Sequence, residues 1–270
     1  MTPAFPAPAW LVGCGNMAGA MVEGWRKAGV SFDGVTVIRP SGVPVEGVRT
    51  VTDYPPGPPR FVLLGFKPQK LDGVAPGLAP YVGAECTLVS MLAGVSAGTL
   101  ADRFPQARAI VRVMPSLPVA QGEGTTAIYS ADGDQESLSD IGQLMALLGM
   151  IVWCDKEEEL GVIGAIASAG IAYVARFAAA LAKSGEALGI QSGMAEKVAI
   201  QTLVGTAAYA ADTGASMDEI ARRVASPKGT TEQGLAVLDA DGGLQQLVDR
   251  TIEAAVRRSK ELAEEAARRN

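Results

Sequence analysis

The sequence predicts an α/β protein: a doubly wound parallel sheet in the N-terminal part, followed by an all-helical part that pairs with a second copy. Three observations lead there. Short apolar runs alternate with helical patterns as far as Cys154. A glycine-rich turn follows the first run. From Lys156 onward no strand pattern appears, and the helices become apolar on nearly every face. Short apolar strands alternating with helices form parallel sheets covered on both faces. The boundary is expected to divide the chain into 1–155 and 156–270.

The elements follow in order. Runs at Ala9–Val12, Val35–Ile38, Phe61–Leu64, 86–89, 109–113, 125–129 and 151–154 read as strands. Helical patterns cover residues 16–28, 71–78, 97–104 and 135–148. Glu157, Glu158 and Glu159 then open a helix at the end where the macrodipole favours acids. That helix contains the apolar run 160–175, and a second apolar helix covers 194–212. Helices that are hydrophobic all round must be buried on all sides. A domain of about 110 residues has little room for two of them, so a second subunit is expected to cover them. The run 160–175 is shorter than the about 20 residues of a membrane span, so no membrane partner is expected.

Composition narrows the function. Charged residues make up 19% of the chain, below the roughly 25% of an average globular protein, which leaves less surface suited to solvent. The net charge of −6 argues against a nucleic-acid binder, which needs a basic stripe. Histidine is absent. That removes the Ser-His-Asp triad, histidine zinc sites and any reductase needing a histidine acid. Cys14, Cys86 and Cys154 are far apart and form no CxxC pair, so buried, reduced thiols are expected rather than a disulfide or metal site. Residues 1–9 hold three prolines and no basic residue, unlike a signal peptide, and a cytoplasmic location is expected.

Gly13-Cys14-Gly15-Asn16-Met17-Ala18 follows the first strand and opens the first helix. This is the G-x-G-x-x-A form of a dinucleotide turn. The first glycine permits the tight turn, the second lets a pyrophosphate approach, and the small third residue lets the helix pack on the strand. Free N–H groups at the helix start then face the phosphates. At the end of the second strand, NAD sites tend to carry an acidic residue for the ribose. Here the chain reads Arg39-Pro40-Ser41. Arg39 with Ser41 suits a 2′-phosphate, so NADP(H) is expected over NAD(H), which stays possible. An alternative leaves Arg39 as a solvated surface residue.

Further segments narrow the family. They are Gly65-Phe66-Lys67-Pro68-Gln69, Ser90-Met91-Leu92-Ala93-Gly94, Arg112-Val113-Met114-Pro115-Ser116-Leu117-Pro118 and Ala225-Ser226-Pro227-Lys228-Gly229-Thr230-Thr231. In order and spacing, from Trp10 to about Leu262, the set resembles pyrroline-5-carboxylate reductase. The resemblance implies a Rossmann-like domain and a helical domain that interlocks with its partner's. It implies hydride transfer from NAD(P)H to the C=N bond of a cyclic imino acid, giving L-proline. By the same resemblance, Phe66, Lys67, Pro68 and Ala93 line the nicotinamide side, and Gly229, Thr230 and Thr231 hold the substrate carboxylate.

The residues of that last segment agree. Thr230-Thr231-Glu232-Gln233 has the T-x-x-Q form of a capping box, so a helix is expected to start there. A glycine before a helix start makes an anion site. Thr231 is placed to hydrogen-bond the imine nitrogen and relay its proton. Such chemistry needs little from side chains, because the cofactor carries it. Departures from the family pattern surround the expected substrate pocket. M-P-N-T-P becomes Met114-Pro115-Ser116-Leu117-Pro118, and S-G-S-G-P-A-Y becomes Ala167-Ser168-Ala169-Gly170-Ile171-Ala172-Tyr173. Lys228 stands at the third position of S-P-G-G-T-T, and Tyr54 replaces an asparagine near the adenosine. These changes motivate one rival, a reductase for a different cyclic imine; a non-catalytic NADP(H)-binding regulator is a further alternative, against which the intact Gly229-Thr230-Thr231 segment argues. A β-hydroxyacid dehydrogenase would need a catalytic lysine in the first long C-terminal helix, where Lys183 has no supporting motif.

Overall fold

The computed structural model describes residues 4–268, without the side chains of 263 and 265–268, so the extreme ends of the 1–9 and 156–270 stretches lie outside the described residues. The chain forms two compact units, Met1–Ser168 with Ala255–Asn270, and Ala169–Ala254.

The first unit is built on eight strands: β1 (Ala9–Val12), β2 (Val35–Ile38), β3 (Arg49–Val51), β4 (Phe61–Leu64), β5 (Thr87–Ser90), β6 (Ala109–Pro115), β7 (Gly124–Tyr129) and β8 (Gly149–Trp153). Their order across the sheet is β3-β2-β1-β4-β5-β6-β7-β8. All neighbours are parallel except β6 and β7. Four helices connect them: α1 (Asn16–Lys27), α2 (Leu71–Leu78), α3 (Ala97–Arg103) and α4 (Gln135–Ala146).

The strands are apolar throughout because both faces are buried. Ala9, Leu11, Phe61 and Leu63 point into a core shared with Trp25 of α1 and Met145 of α4. Trp10, Val12, Val62 and Leu64 point into a second core shared with Leu78 of α2 and Leu100 of α3. The period of two thus sorts each strand between two layers. Buried polar atoms are paired: the Trp25 indole N–H donates to the Leu144 carbonyl at 2.8 Å.

The predicted strands and helices of this unit are present, with ends moved by a few residues. One strand was not predicted. β3 is three residues long, carries Arg49 and Thr50, and lies at the sheet edge. An edge strand of that length has no apolar run to announce it. The cysteines also need a correction. Only Cys86 is fully buried, whereas Cys14 and Cys154 are half-buried. Burial pushes the Cys86 thiol up to about 12, so it stays protonated.

After β8 come α5 (Glu159–Ala167), α6 (Gly170–Ala187), α7 (Ser192–Thr213), α8 (Met217–Val224), α9 (Thr230–Asp239) and α10 (Gly243–Arg268). The apolar stretch Glu159–Ala187 has the length and composition of a membrane span. It is two helices, interrupted at Ser168 and Ala169, rather than the single one expected. The spatial grouping also differs from the change of composition at Lys156. α5 packs on β6 and β7, and the end of α10 groups with the sheet.

In the second unit, α6 and α7 form an antiparallel pair closed by Ala178, Ala182, Ala195 and Ala199. Alanines let the two backbones approach closely. The large side chains face outward instead: Val174, Phe177 and Leu181 on α6, and Met194, Val198, Ile200, Val204 and Tyr209 on α7 are exposed. Within one chain these helices are therefore not buried on all sides. A run of large apolar side chains exposed on neighbouring helices marks a surface that meets another molecule.

Glycines report where the packing is tightest. At Gly24 of α1, a Cβ would lie 2.1 Å from the Val119 carbonyl oxygen, whereas at Gly19 nothing lies within 4 Å. Gly24→Ala is expected to cost about 2–3 kcal/mol through overpacking. Gly19→Ala in the same helix is expected to stabilise by about 0.5–1 kcal/mol. Urea unfolding of both variants checks the contrast.

Candidate active site

The sheet order reverses at β1, which lies between β2 and β4. Open α/β sheets bind ligands outside the carboxyl ends of the strands at such a point. Two turns meet there. Gly13 leaves β1 with φ +82°, and a Cβ on it would lie 2.9 Å from the Gly65 carbonyl oxygen. A Cβ on Gly65 would lie 2.7 Å from the Gly13 oxygen and 3.1 Å from the Ala18 Cβ. The smallness of Gly13, Gly65 and Ala18 is thus a packing requirement of the chain itself.

Gly15 is different. Its φ of −82° suits any residue, and the nearest atom to an added Cβ is 4.0 Å away. Nothing among the described residues requires glycine there. It precedes α1, whose first turn has no side-chain cap and no acidic residue. The N–H groups of Asn16, Met17 and Ala18 belong to the orphan donors of a helix start. Free space beside uncapped donors is what a phosphate needs.

Arg39 follows β2 and is half-buried, and its N–H donates to the Val51 carbonyl at 3.0 Å. Among the described residues its guanidinium makes no ion pair. Its charge reaches the glycine turn: burial raises the Cys14 thiol pKa, and Arg39 pulls it partly back. Ser41 is exposed, and its Oγ accepts the Val43 N–H at 3.4 Å. β3 adds Thr52 and the exposed Asp53 beside the end of β2, a carboxylate that the reading of β2 alone did not include.

The ends of β4 and β5 supply the next group. Phe66 is half-buried against the second core, Lys67 is exposed, and Pro68 opens a short 3-10 turn. Ala93 is exposed and precedes Gly94, which has φ +77°. Tyr54 does not stand open to this edge. Its ring packs on Trp10 and Tyr81 with centroids 5.8 and 5.4 Å apart.

Gly229, Thr230 and Thr231 belong to the second unit, at the start of α9. Here the expected capping box is absent. Gly229 is the residue before the helix, so Thr230 already has helical geometry and accepts no capping bond. The third helical position is then Glu232 rather than Gln233, and its carboxylate accepts the Lys228 N–H at 2.7 Å. The threonine hydroxyls are left uncommitted to capping. Gly229 is needed for the turn, since a Cβ would lie 2.9 Å from the Ser226 carbonyl oxygen.

A curated relative from Pseudomonas aeruginosa, a pyrroline-5-carboxylate reductase, is 31% identical over 269 residues, covering 94% of this chain and 96% of its own. The chain belongs to the pyrroline-5-carboxylate reductase family. The family model for the pyrroline-5-carboxylate reductase dimerisation domain matches residues 157–262. A solved pyrroline-5-carboxylate reductase from Coxiella burnetii superposes with a TM-score of 0.89 at 28% identity, covering 96% of this chain and 99% of that one. A Plasmodium falciparum pyrroline carboxylate reductase, solved with NADP bound, shares the fold at a TM-score of 0.82 and 22% identity, covering 94% and 97%.

Within this family the departures have distinct settings. Ser116 is buried, and its Oγ accepts the Thr125 N–H at 2.8 Å. Leu117 is 55% exposed. Ser168, the hydroxyl remaining between Ala167 and Ala169, donates to the Pro115 carbonyl at 3.3 Å. Sequence reading missed Glu157. It does not simply serve a helix dipole: its carboxylate binds Arg112 at 2.8 Å and accepts the Ala97 N–H at 2.6 Å. In the sequence it stands only as one acid of the Glu157-Glu158-Glu159 triplet at a helix start.

Lys228 replaces a glycine of the family pattern while keeping left-handed backbone, φ +62°. That conformation costs a non-glycine residue about 1–2 kcal/mol, and glycine returns part of it in unfolded-state entropy. Lys228→Gly is expected to raise stability by about 0.5–1 kcal/mol, read from the urea-unfolding midpoint.

Proposed function

We propose that this protein binds NADP(H) at the switch point of its sheet and reduces the C=N bond of 1-pyrroline-5-carboxylate to L-proline. The observation that carries this reading is the open space at Gly15 beside the uncapped start of α1, in a chain of the pyrroline-5-carboxylate reductase family.

Each candidate residue has a role in this reading. Gly13 and Ala18 hold the two turns together, while Gly15 and the N–H groups of Asn16, Met17 and Ala18 receive the pyrophosphate. Arg39 and Ser41 take the 2′-phosphate, which favours NADPH while NADH stays usable. Phe66, Lys67, Pro68 and Ala93 border the nicotinamide. When bound, the reduced cofactor supplies a hydride to the imine carbon. The chain's own residues bind and orient. Gly229, Thr230 and Thr231 hold the substrate carboxylate at the start of α9. The Thr231 hydroxyl hydrogen-bonds the imine nitrogen and relays to it one proton from solvent, so that hydride on carbon and proton on nitrogen together give the neutral amine.

The same reading divides the chain at 155/156 into a cofactor domain and a dimerisation and substrate domain. The family match beginning at residue 157 supports that division. The exposed apolar faces of α6 and α7 support a homodimer or a larger homo-oligomer. A cytoplasmic enzyme fits the three free cysteines. The departures from the family pattern at residues 114–118 and 167–173 support a second reading in which the imine carries a different ring. A panel of five- and six-membered cyclic imino acids, followed by NADPH oxidation, separates the two. Cofactor binding without turnover on any of them sinks both.

Two variants test the assignment of residues. Gly15→Ala is expected to leave the melting temperature unchanged while weakening NADPH binding about tenfold or more, because the new methyl meets only the ligand. Fluorescence titration reads the affinity, and wild-type affinity refutes the pyrophosphate placement. Thr231→Ala is expected to lower kcat/KM about 100-fold, the lower range for a positioned proton donor, with folding intact. An unchanged rate removes the role of Thr231.

A further inference from the structure

We infer that Glu157 is a positioning residue: through one carboxylate it fixes the loop that carries Ala93, and so sets the geometry of hydride transfer. The inference rests on the proposed placement of Ala93 beside the nicotinamide. It assigns a role to a residue that lies outside the cofactor turn and the threonine segment.

The loop runs from the end of β5 to the start of α3. Leu92 and Val95 anchor its base in the core, while Ala93 at its tip is exposed. α3 has only seven residues. Ser96 satisfies one orphan donor, since its Oγ accepts the Thr99 N–H at 3.0 Å. The Ala97 N–H is satisfied from a distant part of the chain, by Glu157. A carboxylate accepting a backbone N–H makes a charge-assisted bond, roughly twice as strong as a neutral one.

Glu157 is itself held in place. The same oxygen that accepts from Ala97 receives the Arg112 guanidinium at 2.8 Å, and the Arg112 side chain is only 12% exposed. Arg112 is on β6, so the loop is tied to the rigid sheet by way of one carboxylate. α5, which follows Glu157, is seated on the same strand. A Cβ at Gly164 would lie 2.0 Å from the Met114 sulfur. The position of Glu157 is therefore set by packing that precedes any ligand.

Above its buried base at Leu92 and Val95, the loop is bordered on the Glu157 side by open space. A cavity of about 200 Å³ lies there, bordered by Gly94, Ser96, Arg112, Met114, Glu157 and Lys260. Apolar packing does not fill this space, so the bond to Glu157 carries the constraint. Loss of that bond lets the loop move into the cavity. The pyrophosphate turn at Gly13 and Gly15 is untouched by such a shift. Affinity for the cofactor then persists, while the distance and angle of hydride transfer change.

The experiment compares wild type, Glu157→Ala and Glu157→Gln. Amide hydrogen exchange on the cofactor-free protein is expected to quicken about tenfold or more in residues 91–100 of the alanine variant, with residues 9–20 unchanged. NADPH binding, read by fluorescence, is expected to stay within threefold of wild type. With pyrroline-5-carboxylate, kcat is expected to fall about 10–100-fold, the scale of a misplacement below about 1 Å. The primary isotope effect on kcat with 4-deuterated NADPH is expected to rise as hydride transfer becomes limiting. A merely damaged fold lowers the active fraction and leaves that isotope effect alone. Glutamine retains an acceptor oxygen for Ala97 and is expected to restore exchange protection and the isotope effect. Wild-type exchange at 91–100 in the alanine variant, or a lower kcat with an unchanged isotope effect, overturns the inference alone. A wild-type protein inactive toward every cyclic imine overturns the functional reading and the inference with it.

Discussion

The backbone at Gly13 and the backbone at Gly65 approach until neither can carry a side chain. This contact joins the turn after β1 to the turn after β4, at the one place where the sheet order reverses. Everything at the carboxyl edge is arranged from it. α1 leaves the sheet with its first N–H groups toward the edge, and Ala18 must be small because Gly65 lies behind it. Gly15 is then left in open space with ordinary backbone angles. A glycine retained where the protein does not need one points to something outside the chain that does.

The two parts of the chain solve burial in opposite ways. In the sheet, the alternation of side chains sends each strand into two cores, and helices close both. In the α6–α7 pair, alanines form the internal seam and the larger apolar side chains turn outward. The first arrangement is complete within one chain. The second leaves surface for another, in agreement with the dimerisation model that spans these helices. The low share of charged residues has its cause here.

Glu157 connects elements that are distant in sequence. Its carboxylate joins β6, the start of α3 and the segment leading into α5. A short helix such as α3 has little cooperative stability of its own. Its entry is therefore sensitive to a single outside acceptor, and so is the loop before it. Lys228 illustrates a different cost, a left-handed residue accepted where the family pattern has glycine, with its N–H taken by Glu232.

The sequence alone determined the alternating sheet, the cofactor turn, the family and the helical second half. Each is written in local signals: continuous apolar runs, glycine spacing and the loss of strand pattern after Cys154. Tertiary structure decided what local signals do not encode. β3 is too short and polar to register, yet it brings Asp53 beside the end of β2. The start of α9 shifted by one residue relative to its T-x-x-Q pattern, because Gly229 already stands in the capping position. The apolar run 160–175 broke in two at Ser168, which donates to Pro115 on β6. The use of Glu157 depends on Arg112, 45 residues earlier. An ion pair at that separation has no periodicity to betray it, since only the folded sheet brings its two halves together.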